Sequence, residues 1–271
     1  MGTYLDEILD HHRAVAAADS RSLDALIDEA GQFAQPRGFR NAIRSLDEGL
    51  MAVIAEIKRR SPSRGDLAID LDPAETAGAY MAGGATCLSV LTDQDHFGGS
   101  AADLRSARGA VPIPVLRKDF TVDPRDVCDA ALMGADAVLL IAAALDDSEL
   151  SDFLALSREL GLDSLAEVHD ESELERVLAA GADLVGVNQR DLNTFQVDSD
   201  RARRVGACIP AGGERVAESG VRTQEDAAVL YDAGFRAILV GESLVTSGDP
   251  GGAVADLVAA GSAGSAGTRA G

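Results

Sequence analysis

The stretch MGADAVLLI (133–141) and its counterpart AGADLVGVN (180–188) decide how this chain folds. Each sets a glycine at the end of a helical segment, then a short run that is apolar on every side. Glycine just past a helix takes φ > 0 without a Cβ clash and stops the helix. Short apolar runs rich in β-branched residues, without alternation, read as strands buried on both faces. Working outward, the same pattern recurs as AGGATCLSVL (82–91) and AGFRAILVG (233–241). The stretches between have helical periodicity, as in DESELERVLAAG and TQEDAAVLYDAG. Strands alternating with helices predict βαβ units and a parallel sheet.

Eight strands are predicted, near 53–58, 86–91, 113–118, 136–141, 164–168, 183–188, 214–218 and 236–240, each followed by a helical segment. This predicts an α/β fold, a single (β/α)8 TIM barrel. A doubly wound open sheet would show fewer strands and a Gly-rich first turn, and the chain has neither. Before the first strand, TYLDEILDHHRAVA and SLDALIDEA are amphipathic and have Ser/Thr caps. The domain plan is one unit over 1–258: an N-terminal helical extension (1–48) packed on a barrel (49–258). The low-complexity end, 259–271, is expected to be a disordered tail.

With 271 residues, 46% of them apolar, the chain can build one large core. No apolar run is long enough to span a membrane, and MGTYLDEILDHHR lacks the basic and apolar regions of a signal peptide. A soluble, cytoplasmic protein is expected. Three scattered cysteines (Cys87, Cys128, Cys208) fit a reducing compartment and read as small apolar filler. The net charge of −21 makes nucleic acid and anionic membranes poor partners. A monomer or weak homodimer is expected. Arginine outnumbers lysine 22 to 2, which fits either a high-salt cytoplasm or a GC-rich coding bias.

In a barrel of this kind the active site sits at the C-terminal ends of the strands. Strand one ends in Glu56-Ile57-Lys58, strand three in Lys118, strand six in Asn188 and strand seven in Glu218-Ser219, while strand five carries Glu167. Residues i and i+2 of a strand share a face, so Glu56 and Lys58 project together. Lys58 and Lys118 are the only lysines, and both end predicted strands. Their retention suggests a task arginine cannot perform, such as giving up a proton. Three carboxylates (Glu56, Glu167, Glu218) facing two lysines and Arg190 form a setting where acid and base roles separate. Phosphate binding is expected at Ser219-Gly220 and Gly241-Glu242-Ser243, after the last two strands, where backbone N–H groups approach an anion closely. The tract KRRSPSRG (58–65) adds positive charge and hydroxyls near this mouth.

The histidines form no site in the sequence. His11 and His12, on the first helix, are expected to face solvent; His96 and His169 follow strands two and five. No His/Cys/Asp cluster has metal-ligand spacing, so no metal is expected. There is no GxGxxG, P-loop or GxSxG, and no cofactor is expected.

Taken together, AEIKRRSPSRG (55–65), LSVLTDQDHFGGS (88–100), PVLRKDF (114–120), LAEVHDESELERVLAAGADLVGVNQRDL (165–192), VAESGV (216–221) and LVGESL (239–244) are specific. Over about residues 3–258 the chain resembles the indole-3-glycerol phosphate synthase family. That family converts 1-(2-carboxyphenylamino)-1-deoxyribulose 5-phosphate to indole-3-glycerol phosphate, losing CO2 and water, so the implied partner is a phosphorylated small molecule. The resemblance implies Lys118 as the acid on the substrate carbonyl, with Glu167 and Glu56 as base or electrostatic stabilisers. It implies that Lys58 contacts the substrate carboxylate or phosphate and assists dehydration. Asn188 would orient a substrate hydroxyl and Glu56, and Arg190 and Glu218 would complete the charged ring. Phe97 and Phe120 would pack on the anthranilate ring. Ser61, Ser219, Gly220, Leu239, Gly241 and Glu242 would line the substrate site. A carboxylate beside a phosphate repels it, so contact at Gly241-Glu242 is assigned to backbone N–H groups. Two other readings remain. A phosphoribosylanthranilate isomerase-like barrel would want Cys and Asp where Glu56-x-Lys58 and Asn188 stand. The other is a catalytically inactive barrel that binds a phosphorylated ligand.

Overall fold

A computed structural model describes residues 3–33, 36–191 and 194–261. Among them, eight parallel strands close into a barrel: β1 (Ala52–Ile57), β2 (Cys87–Leu91), β3 (Val115–Lys118), β4 (Ala137–Ile141), β5 (Asp163–Val168), β6 (Leu184–Asn188), β7 (Glu214–Glu218) and β8 (Ala237–Val240). Each strand pairs with the next in sequence, and β8 returns to β1 in the register Ala52↔Ala237 to Ala55↔Val240. The expected strands are present with edges moved by a residue or two. The third starts late, at Val115, because Pro112 and Pro114 have no N–H to give to a ladder.

The recurring glycines behave as the pattern predicts. Gly84, Gly134, Gly181 and Gly234 follow helices with φ of 93°, 87°, 89° and 91°. Acidic or hydroxyl caps start the helices that follow the strands. Asp123, Asp146 and Thr223 each form a reciprocal capping box, and Asp72 and Asp170 cap with one side chain. Apolar residues fill the barrel and the layer between strands and helices, where nearly every strand residue is buried.

The extension covers both ends of the barrel. Helices α1 (Tyr4–Ala18) and α2 (Leu23–Gly31) start at Thr3 and Ser22 as the caps predict. Tyr4, Leu5 and Ile8 of α1 reach the cavity at the C-terminal mouth. A third helix, α3 (Phe39–Arg44), plugs the opposite end: Phe39 is fully buried, and the Arg40 amide donates to Asp163 Oδ2 at 2.9 Å. Asp136, 0% exposed, accepts the amides of Arg37 and Val115, both at 2.7 Å, and Arg108 Nη2 at 3.0 Å.

Three expectations change. The tract after β1 is not a plain loop: Arg60–Ser61 pairs antiparallel with Gly65–Asp66. The packed chain runs past 258, because Ala260 is buried and Gly261 lies tight against Gly49 and Tyr231. Residues 262–271 of the expected tail lie outside the described residues. Cys87 and Cys128 are buried as filler, but Cys208 is exposed in the turn after the short helix Arg201–Gly206. Among the described residues, no helix is long and apolar enough to cross a membrane.

Candidate active site

Strand alternation aims Glu56, Lys118, Glu167, Asn188 and Glu218 into one mouth, a cavity of about 450 Å³. The register sets their heights, with Asn188 opposite Glu218 and Glu218 opposite Leu239. Lys58, one residue past β1, points the same way as Glu56, and its Nζ lies 2.5 Å from Glu56 Oε1. Ser89 Oγ adds a long contact of 3.5 Å to Glu56 Oε2.

At the floor, Lys118 Nζ stands 3.4 Å from Glu167 Oε2 and 3.8 Å from Glu218 Oε2. Burial lowers the lysine's proton affinity, but Glu167, Glu218 and Glu56 outweigh it and hold the ammonium well above its ordinary range. Lys118 is therefore kept charged, which suits an acid rather than a base. The carboxyls divide. Burial pushes Glu56 and Glu167 up, yet the nearby cations hold both below the usual carboxylate value; for Glu56 these are Lys58 and Lys118, for Glu167 they are Lys118 and His169. Glu218 goes the other way, raised well above that value by burial and by the charge of Glu167. Of the three carboxyls, Glu218 is thus the one that holds a proton most readily.

Asn188 is locked at both ends. The Arg190 amide donates to its Oδ1 at 3.0 Å, and its Nδ2 donates to Glu167 Oε1 at 3.0 Å. The expected partner was Glu56; the strand order puts β5, not β1, beside β6, so Asn188 meets Glu167. Arg190 likewise stands away from the three carboxylates of the floor, with Nη2 3.8 Å from Glu242 Oε2. Arg64 Nε is 3.1 Å from Glu242 Oε1. Glu242, doubtful beside an anion, therefore sits between two arginines. Of the basic tract, Arg64 lines the cavity, whereas Arg59 pairs with Asp103 and Arg60 with Asp66.

Ser219 and Gly220 both take left-handed backbone, with φ of 65° and 80°. For serine this is strained and persists only where the surroundings fix it. Gln189 Nε2 does so by donating to the Ser219 carbonyl at 2.7 Å. Ser219, Gly220, Leu239, Gly241 and Glu242 line the cavity, as does Ser61 on the hairpin. Phe97 and Phe120 also line it, their ring centres 6.4 Å apart.

Several lining residues carry no signal of this role in the sequence. Tyr4, Leu5 and Ile8 read as an apolar helix stripe, but a stripe does not say which barrel end it covers. Phe195 lines the wall and meets Tyr4 edge-on at 5.5 Å. His169 Nε2 is 3.6 Å from Glu167 Oε1, and its place directly after β5 was the available clue. The expectation that the histidines stay apart is overturned: His11, His12 and His96 gather, and His12 bonds to Asp93 instead of facing solvent.

Fold and site define a TIM-barrel enzyme with an acid–base rim and two glycine-containing loops at one side of its mouth. The chain belongs to the indole-3-glycerol phosphate synthase family, whose sequence model matches residues 5–257. The family consists of carboxy-lyases of tryptophan biosynthesis. An indole-3-glycerol phosphate synthase of Mycobacteroides abscessus is 50% identical over 260 residues, 96% of this chain and 95% of that one. One from Parafrankia sp. is 51% identical over 259 residues, 95% and 96% of the two chains. Among solved structures, a thiamine phosphate pyrophosphorylase from Pyrococcus furiosus superposes with a TM-score of 0.59 at 16% identity, covering 79% of this chain and 96% of that one. That likeness concerns the barrel alone.

Proposed function

We propose that this chain closes the indole ring of 1-(2-carboxyphenylamino)-1-deoxyribulose 5-phosphate, giving indole-3-glycerol phosphate, CO2 and water. The observation that carries the reading is Lys118, an ammonium held on the cavity floor by Glu167 and Glu218. An electron-rich aryl carbon attacks the substrate ketone, and the oxygen needs a proton as the carbon–carbon bond forms. Lys118 supplies it. Loss of the ring carboxyl as CO2 returns its electron pair and restores the aromatic system. The new hydroxyl then takes a proton from an acid and leaves as water, and the neighbouring methylene loses a proton to a base, which forms the indole double bond.

The remaining roles follow from charge and place. Ionised Glu56 and Glu167 stabilise the positive charge that develops on the aryl amine. Lys58 meets the substrate carboxylate and donates a proton in the dehydration. Asn188 orients a substrate hydroxyl together with Glu167. Phe97 and Phe120 pack on the aryl ring. The phosphate lies toward Ser219, Gly220 and Gly241, where Arg64 and Arg190, held by Glu242, supply positive charge. Helix α1 over the mouth keeps the site dry.

The reading includes a cytoplasmic enzyme, monomeric or weakly dimeric. Its net charge of −21 disfavours nucleic acid and anionic membranes. The test is a steady-state assay of the purified protein with this substrate, followed by indole fluorescence. Product is expected; folded protein that yields none sinks the reading and leaves an inactive ligand-binding barrel.

A further inference from the structure

At the seam between α1 and the turn after β2, three of the chain's four histidines gather, and two of them, His12 and His96, bond to one buried carboxylate. Asp93 is 4% exposed, and its Oδ2 meets His12 Nε2 at 2.9 Å and His96 Nδ1 at 3.0 Å. Its Oδ1 accepts the amides of His96 at 2.6 Å and Phe97 at 3.2 Å, so the carboxylate is fixed in place. The catalytic rim uses none of these groups.

The three donor atoms, His12 Nε2, His96 Nδ1 and Asp93 Oδ2, lie within 4.8 Å of one another. Ligand atoms about 2.0–2.1 Å from a tetrahedral zinc ion stand about 3.3 Å apart. The two nitrogen–oxygen gaps need open by only about 0.3–0.4 Å to reach that spacing. Two imidazoles and a carboxylate suit a borderline divalent ion and leave a fourth position for water. The site is reachable, since the His12 and His96 side chains are 19% and 21% exposed.

We infer that His12, Asp93 and His96 bind a divalent transition-metal ion of the zinc type, which clamps α1 onto the cavity rim. On binding, each imidazole turns a lone pair toward the ion from the nitrogen now facing Asp93, and its ring proton sits on the other nitrogen. The clamp bears on the substrate cavity: the His12 ring stands 5.3 Å from that of Phe120, and Asp93 and Phe97 line the wall. Sequence spacing hides the site, because His12 lies 81 residues from Asp93.

The test is titration of the metal-free, full-length protein with cobalt(II), read by visible d–d absorption, and with zinc, read by calorimetry. One ion per chain is expected. His12→Gln and His96→Gln should each weaken it by at least about tenfold, while His11→Gln, at the exposed neighbouring pair, changes it little. In the wild type, zinc should shift the ring resonances of His12 and His96 but not of His169, a readout independent of whether the variants fold. Absence of one-to-one binding, unchanged affinity in folded His12→Gln or His96→Gln, or unmoved His12 and His96 resonances overturns the inference.

Discussion

The Cβ that residue 241 lacks would fall 2.4 Å from Oε1 of Glu56. The φ at Gly241 is −126°, not left-handed, so the need for glycine that the structure shows is the close approach of the carboxylate. Gly241→Ala must push Glu56 aside and break its contact with Lys58. Misplacing a reacting group by about 1 Å costs on the order of a hundredfold. We expect kcat to fall by about ten- to a hundredfold while the protein stays folded. Steady-state kinetics check this; an unchanged kcat would show that Glu56 does not need its present position.

Lys118→Ala removes the acid. Turnover should drop by about 10²- to 10⁴-fold, the usual worth of a placed proton donor, with KM little changed. Near-normal turnover removes Lys118 from its assigned role.

Glu218 makes stability depend on pH. Its folded proton affinity is raised, so between the ordinary carboxylate value and the raised one the native state binds more protons than the unfolded state. Stability from this group is therefore full at low pH and declines as pH rises through the raised value. Glu218→Gln keeps a donor to Glu167 but cannot ionise. The variant should gain stability relative to wild type as pH rises from the ordinary carboxylate value through the raised one. Urea unfolding at both ends of that range measures it, and parallel curves refute it.

At the other end of the barrel, Asp136→Ala strands the Arg37 and Val115 amides and the Arg108 guanidinium. Breaking a buried charged hub costs about 3–5 kcal/mol. The loss should appear in urea unfolding, with kcat retained at temperatures where the variant is folded.

The fold was legible because its signals are local. Helix-ending glycines such as Gly134 and Gly181, and apolar runs such as Ala137–Ile141, each announce themselves within a few residues. The rim was legible for a related reason: closing the barrel brings every strand end to one mouth, so naming the end residues located Glu56, Lys118, Glu167, Asn188 and Glu218 together. What stayed hidden depends on which distant pieces touch. Asn188 meets Glu167 rather than Glu56 because of strand adjacency, and His12 meets Asp93 because α1 crosses the mouth. Neither contact has a period that a sequence can display.

Leu5 and Ile8 belong at once to the first helix and to the cavity wall, while the barrel beneath them is sealed by the pairing of β8 with β1. The earliest-made part of the wall must therefore wait on the ribosome for the last strand to emerge. A nascent chain halted before residue 237 has its catalytic side chains but no closed vessel to hold them, so activity should switch on late and all at once during synthesis.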